Sequence, residues 1–176
     1  MKYLLPLILI LAFVACVKEP LALYPDVGVV TVTSDSVRIN FNVPDSDPDT
    51  ILHKGWEPGY NGSATKNMTV ILKETAKKDV CVEVLHWQVF DINGSLVGSD
   101  AEDYIPPIEI KGGQDTTYAT TIEIWEGWAR QLDNADGAQN DYSGTGTIKF
   151  YVDGYDLQRG EDINTIPSYT PMSVSQ

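Results

Sequence analysis

The chain has two cysteines and two histidines in 176 residues. Zinc sites draw about four ligands from these residue types, so no zinc site is expected. A disulfide framework is excluded for the same reason. Basic residues are scarce too: 12 Lys and Arg stand against 25 Asp and Glu, a formal charge of −13. Phosphate recognition needs a basic face, so nucleic acid is excluded as a partner. Adhesion to an anionic membrane by charge alone is excluded with it. Long apolar runs are missing except at the start, where Leu4 to Val14 is broken only by Pro6. That stretch is too short for a hydrocarbon core, which needs about 20 residues. No Gly-x-Ser-x-Gly elbow, His-Glu-x-x-His helix or phosphate-binding glycine loop occurs. Nothing nominates a catalytic residue, and the expectation is that the protein is not an enzyme.

What remains is enough for a packed domain. Hydrophobic residues make up 43 % of the chain and charged residues 21 %, so disorder is not expected. The first residues carry an address. Lys2 gives a positive start, the apolar stretch follows, and Phe13-Val14-Ala15-Cys16 ends it. This is the order of an export signal. Its last four residues resemble the lipobox of bacterial surface lipoproteins, with Phe13 where Leu is usual. The resemblance implies cleavage before Cys16 and lipidation of Cys16. It also implies anchoring to a membrane of the bacterial cell envelope, since two or more acyl chains suffice for that. The alternative is ordinary cleavage after Cys16, giving a soluble secreted or periplasmic protein. Under the lipidated reading residues 1–15 are a signal peptide and 16–25 a lipidated start and tether, with Pro20 and Pro25 keeping it extended. Cys81 is left without a partner and is expected to pack as a small hydrophobe.

Beyond residue 26 the pattern has period two. Val27 to Thr33 and Val37 to Val43 alternate around Ser34-Asp35-Ser36, which reads as a hairpin. Met68, Val70 and Leu72 share a face. Val80 to Phe90 is the strongest strand, with Leu85, Trp87 and Val89 together. Its other face, with Val82, Val84 and Phe90, is apolar too, so the strand is expected to be central. Cys81 and His86 fall on opposite faces in this reading. Asn93-Gly94 is a hairpin turn, and Asp153-Gly154 reads as another. Pro106-Pro107 marks an edge or sheet-switching segment. Thr116 to Trp125 and Thr147 to Val152 are further strands. Residues 44–66 and 127–146 read as long loops, the second with room for one helical turn over Gly127 to Leu132. Leu157 to Ile166 is a weak last strand, and residues 167–176 read as a frayed polar tail.

Seven to nine short strands with regular turns predict an all-β fold, an antiparallel β-sandwich over residues 26–166, with a small β-barrel as the alternative. Trp87 in a central strand and the two glycine turns make this stretch resemble the immunoglobulin-like or fibronectin-III-like domains of bacterial surface lipoproteins. The resemblance implies a non-enzymatic protein-interaction or structural module of the envelope. The alternative is a carbohydrate-binding surface lipoprotein. Trp56, Tyr60 and Trp128 would be its loop platforms, since exposed aromatics offer large rigid contact area. Asp45, Asp47 and Asp49 alternate in the first loop, and alternate carboxylates can converge on calcium. The glycine and glutamate that complete a calcium loop are replaced by Thr50 and Trp56. Calcium is the one cofactor left open. The partners expected are the membrane through the lipid, and an envelope protein or polysaccharide.

Overall fold

The computed structural model describes residues 26–41, 50–53, 62–136 and 143–175. Among the described residues ten strands and one helix are formed. They are β1 (Val29–Ser34), β2 (Val37–Asn40), β3 (Thr50–His53), β4 (Ser63–Glu74), β5 (Val80–Asp91) and β6 (Leu96–Ile110). Then come β7 (Asp115–Trp125), α1 (Glu126–Asp136), β8 (Ser143–Asp156), β9 (Asn164–Ile166) and β10 (Ser168–Ser175). In the first sheet β4 is the hub. β7 lies along one of its edges, β1 and β3 share the other, and β9 lies beyond β1. The second sheet has the order β2-β10-β8-β5-β6.

Period-two alternation turns one side of each sheet inward. Val30, Val70, Leu72, Ile122 and Ile124 from the first sheet meet Leu85, Val89, Ile148, Phe150 and Met172 from the second. Each large side chain so buried contributes roughly 1.5–3 kcal/mol. β5 is central as expected, flanked by β6 and β8, although most of its apolar residues prove to share one face. The Asn93-Gly94 turn also forms as read. Gly94 takes φ 81°, and Asp91 Oδ1 accepts from the amides of Asn93 (2.9 Å) and Ser95 (2.7 Å). Such a left-handed position suits glycine because it lacks a Cβ.

Five readings of the sequence are corrected. First, β1 and β2 do not form a hairpin. Both edges of β1 are taken, by antiparallel β4 and parallel β9. The chain therefore crosses at Asp35-Ser36 to the other sheet, where β2 lies parallel to β10. β9 and β10 cross at Pro167 in the same way. The register holds across the corner, since Val29 faces Asn164 and Val37 faces Met172, an equal advance on both chains. Ser34, Ser168 and Thr170 join hydroxyls there, with Ser34 to Thr170 at 2.6 Å. The corner closes the sandwich on one side as a half-barrel and makes both sheets mixed. It also raises the strand count, because two long strands are each split by the crossing.

Second, Asp153-Gly154 is not a turn. β8 runs straight through it, and reversal comes later, at Gly160 with φ 67°. Gly154 sits opposite a bulge in β5, where pairing shifts between Val82 and Val84. Third, the same bulge at Glu83 resets the alternation, as bulges do. Val80 and Val82 join Leu85 in the core, and Cys81 comes to the same side of the sheet as His86. Fourth, residues 126–136 form a three-turn helix, more than the single turn expected. Ala129 and Leu132 are buried, and Glu126 pairs with Arg130 at 2.6 Å. Gly127, Asp133 and Asn134 are weak helix formers and hide the period.

Fifth, the frayed tail is strand β10, so the domain reaches residue 175. Thr170, Met172 and Val174 are buried between β8 and β2. Pro171 is tolerated for a geometric reason. The Ser175 carbonyl accepts from the Phe41 amide at 2.8 Å, so odd positions of β10 turn their backbone groups toward β2. The first β2 partner pair is Met172 with Val37, and the missing N–H of Pro171 falls just before it. Among the described residues no helix is long and apolar enough to cross a membrane.

Asp79 fixes the turn between β6 and β7. Its carboxylate accepts from the Gly112 amide (3.0 Å) and from Lys111 Nζ (3.0 Å). The Gly112 bond first, and Lys111 second, hold its pKa below the ordinary 3.8. A depressed carboxylate adds order above its unfolded pKa, and that order is lost as pH falls through the folded value. Carbon-detected titration should therefore place the Asp79 midpoint below 3.8. The Gly112 amide should lose protection, measured against its intrinsic exchange rate, below that pH, and in Asp79→Asn at neutral pH. An unshifted midpoint would refute the assignment.

Candidate functional site

Most of the site residues read from the sequence lie outside the described residues: Cys16, Asp45, Asp47, Asp49, Trp56 and Tyr60. Trp128 is described, and it is not on a loop. It lies on α1, half-buried and packed against the core, with its indole over Gly98 where any Cβ would overlap it. A ring seated this way supports the fold. Trp128→Ala is expected to lower stability by roughly 2 kcal/mol, less than a fully buried aromatic costs. Urea unfolding checks this, and an unchanged midpoint would restore Trp128 as a free platform.

The outer face of the second sheet gathers other aromatics. His86 on β5 stacks on Tyr151 of β8, with centroids 4.7 Å apart and rings 10° from parallel. His86 Nε2 meets Asp153 Oδ2 at 2.8 Å, and Lys149 Nζ lies 4.7 Å from the Tyr151 centroid. This cluster is satisfied within itself. Tyr169 on β10, beside Lys149, is 64 % exposed. Cys81 is buried as expected. Its thiol bonds the Tyr155 hydroxyl, which raises the Tyr155 pKa above the usual 10.0. Among the described residues no three His, Cys, Asp or Glu side chains are placed to hold a metal ion.

Strand edges differ sharply in protection. Natural sheets guard an edge with short strands, prolines, lysines or bulges. β2 and β9 are short. β6 carries Pro106-Pro107 and faces β5 across register shifts. β7 has none of these devices. It is eleven residues long, without Lys, Arg or Pro, and pairs with β4 in unbroken register from Ser63–Trp125 to Lys73–Asp115. Among the described residues no strand pairs with its other edge.

The direction of its backbone groups follows from two hydrogen bonds. The Glu74 amide donates to the Gln114 carbonyl (2.9 Å), and the Glu126 amide donates to the Gly62 carbonyl (2.7 Å). In an antiparallel ladder bonded and non-bonded pairs alternate. Even-numbered residues of β7 therefore bond β4. The odd ones, Asp115 to Trp125, turn N–H and C=O to the open edge. Their side chains form the outer face, where Thr121 donates to Asn67 Oδ1 at 2.7 Å. Beside Ala119 lies a shallow dip of about 280 Å³, lined by Asn67, Met68, Thr69, Thr120 and Thr121.

The inner side of β7 is pinned. Glu102 of β6 accepts from Thr120 Oγ1 and from the Tyr118 hydroxyl (3.3 Å). Burial pushes the Tyr118 pKa above the usual 10.0, and the Glu102 carboxylate adds to the shift. On the outer face Ser63 Oγ donates to Glu123 near the far end. The edge is thus open on a rigid strand.

Sequence reasoning missed this edge, and it missed Glu74. The alternation of Met68, Val70 and Leu72 runs on to Glu74, so a carboxylate at an apolar position was the available signal. For β7 the signal was a strand lacking every edge guard, but its edge position depends on distant pairing.

No protein-family model matches the sequence, and no curated protein matches it. Solved structures do. A protein from Archaeoglobus fulgidus is 12 % identical over 72 % of this chain and 93 % of its own, with a TM-score of 0.43. A candidate late embryogenesis abundant (LEA) protein is 13 % identical over 94 % of this chain and 78 % of its own, with a TM-score of 0.45. A candidate ApaA protein from Bordetella pertussis is 15 % identical over 82 % of this chain and 86 % of its own, with a TM-score of 0.38. At these identities and scores the likenesses carry no inference about what the chain does.

Proposed function

We propose that this chain is a non-enzymatic protein-interaction module of the bacterial cell envelope, exported and held to a membrane by lipid on Cys16. The observation that carries the reading is the unguarded edge of β7. Leaving one edge of an eleven-residue strand without a partner strand, as it is among the described residues, invites aggregation, and a pinned, unbulged strand keeps that edge ready for a partner. The lipobox-like Phe13-Val14-Ala15-Cys16 supports the anchor. The sugar-binding alternative keeps Trp56 and Tyr60, which lie outside the described residues, while Trp128 is committed to packing.

Site-specific photocrosslinking in producing cells tests the reading. A photoreactive residue at Thr121 should yield one dominant protein adduct in the membrane fraction. The same residue at Thr31, away from the edge, should not. Cys16→Ser should release the protein from membranes and abolish fatty-acid labelling. Retention on extracellular polysaccharide with no protein adduct would overturn the interaction reading.

A further inference from the structure

We propose that the open edge of β7 takes an extended, lysine- or arginine-flanked segment of another protein as an added strand of the first sheet. The inference rests on the interaction reading above and specifies its mode and its partner's chemistry. Strand addition draws affinity from main-chain hydrogen bonds and specificity from pockets for alternate side chains. β7 offers both. Thr117, Ala119 and Thr121 turn their N–H and C=O outward in sequence. The dip beside Ala119 exists because a methyl stands between two threonines, and it has room for one side chain of an incoming strand.

Charge decides the kind of occupant. Asp115 and Glu123 stand at either end of the uncharged stretch Thr116 to Ile122, and β7 itself has no cation; across its paired edge Lys73 of β4 stands opposite Asp115, while Thr65 stands opposite Glu123. The chain as a whole carries −13. A segment with a basic residue near each end would place a cation beside each carboxylate, and the field of the whole protein would speed its approach. A second copy of this chain fits badly. Two-fold pairing centred on Ala119 sets Asp115 opposite the partner's Glu123, and like charges directly opposed destabilise a sheet. Two bodies of the same large negative charge repel as well.

The intact chain is tested with two synthetic probes, an alternating Thr-Val peptide with Lys at both ends and the same peptide with Glu at both ends. The Lys-ended probe is expected to slow hydrogen exchange at the Thr117, Ala119 and Thr121 amides at least tenfold. The Glu-ended probe should bind at least tenfold more weakly by fluorescence anisotropy. Ala119→Pro removes one outward N–H but no bond to β4, and proline is tolerated on an edge. It should abolish binding while the amides of Thr120 and Ile122 stay protected. Should that variant fail to fold, Ala119→Lys keeps the N–H, fills the dip and sets a cation on the edge, and it should abolish binding as well. Absence of protection, protection elsewhere, or equal binding of both probes overturns the proposal. A dimer without peptide that dissociates on Ala119→Pro overturns it in favour of a second copy. If the probes fail while the Thr121 crosslink still captures one protein, strand addition falls and the interaction reading stands.

Discussion

Glu74→Met is expected to lower the free energy of unfolding by roughly 4 kcal/mol, because it leaves buried amides without an acceptor. Glu74 is fully buried, yet its carboxylate is surrounded by donors. Oε1 accepts from the amides of Ala76 (2.6 Å) and Val29 (3.4 Å), and Oε2 from the Gly113 amide (2.8 Å). These amides belong to the start of β1, the exit from β4 and the turn before β7. One side chain thus ties three chain segments at one end of the first sheet. Methionine has similar bulk, so packing is largely kept and the loss reports the hydrogen bonds. Each orphaned buried donor costs about 1–3 kcal/mol, and the long Val29 bond counts least.

Glu74→Gln refines the test. One amide oxygen can still serve Ala76 and Val29, while the NH₂ group meets the Gly113 N–H donor to donor. The loss should be roughly 2 kcal/mol, one bond to a charged acceptor. Urea unfolding followed by the fluorescence of Trp87, which is 3 % exposed, gives both values. If Gln costs as much as Met, volume or charge outweighs the count of acceptors. If neither costs more than about 1 kcal/mol, water replaces the carboxylate and the tie is weak.

How much of this was legible depends on how local each cause is. The inward set Leu85, Trp87 and Val89 was legible because alternation on one strand is local. The Asn93-Gly94 turn was legible because its cause, a left-handed residue between paired strands, sits within five positions. The corner at Asp35-Ser36 was not. Two alternating runs around a polar pair look the same whether the chain reverses or changes sheet, and the choice is made by β4 and β9, which occupy both edges of β1. Strand β10 was half legible, since Thr170, Met172 and Val174 alternate but Pro171 and the serines disguise them. Of the candidate site, the alternation of β7 was readable and its outermost place in the sheet was not. The loop aromatic Trp128 was misread because α1 is held by tertiary packing of Leu132 and Ala129 more than by propensity.

Gly154 shows the same limit with the sign reversed, a local motif overruled by a distant strand. Asp-Gly signals a hairpin only when the chain has room to turn, and here β5 pairs β8 through Asp153 and Gly154 on one edge, while on the other the Ile163 amide donates to the Gly154 carbonyl at 3.1 Å. The glycine answers a different need. Any Cβ at 154 would overlap the Cys81 carbonyl oxygen and lie 2.9 Å from Val82 Cα. Both are backbone atoms of the bulged β5, and neither can rotate away. Gly154→Ala is therefore expected to cost roughly 3 kcal/mol, at the upper end for an overpacked site. Gly94→Ala is the control. Its φ is 81° but open space surrounds it, so it should cost about 1 kcal/mol from backbone strain alone. Denaturation of the two variants separates close approach from conformation. A Gly154→Ala variant no less stable than Gly94→Ala would mean that the bulge at Glu83 yields freely. A bulge that yields could not fix Val80 and Val82 in the core while holding Leu85 in phase behind them.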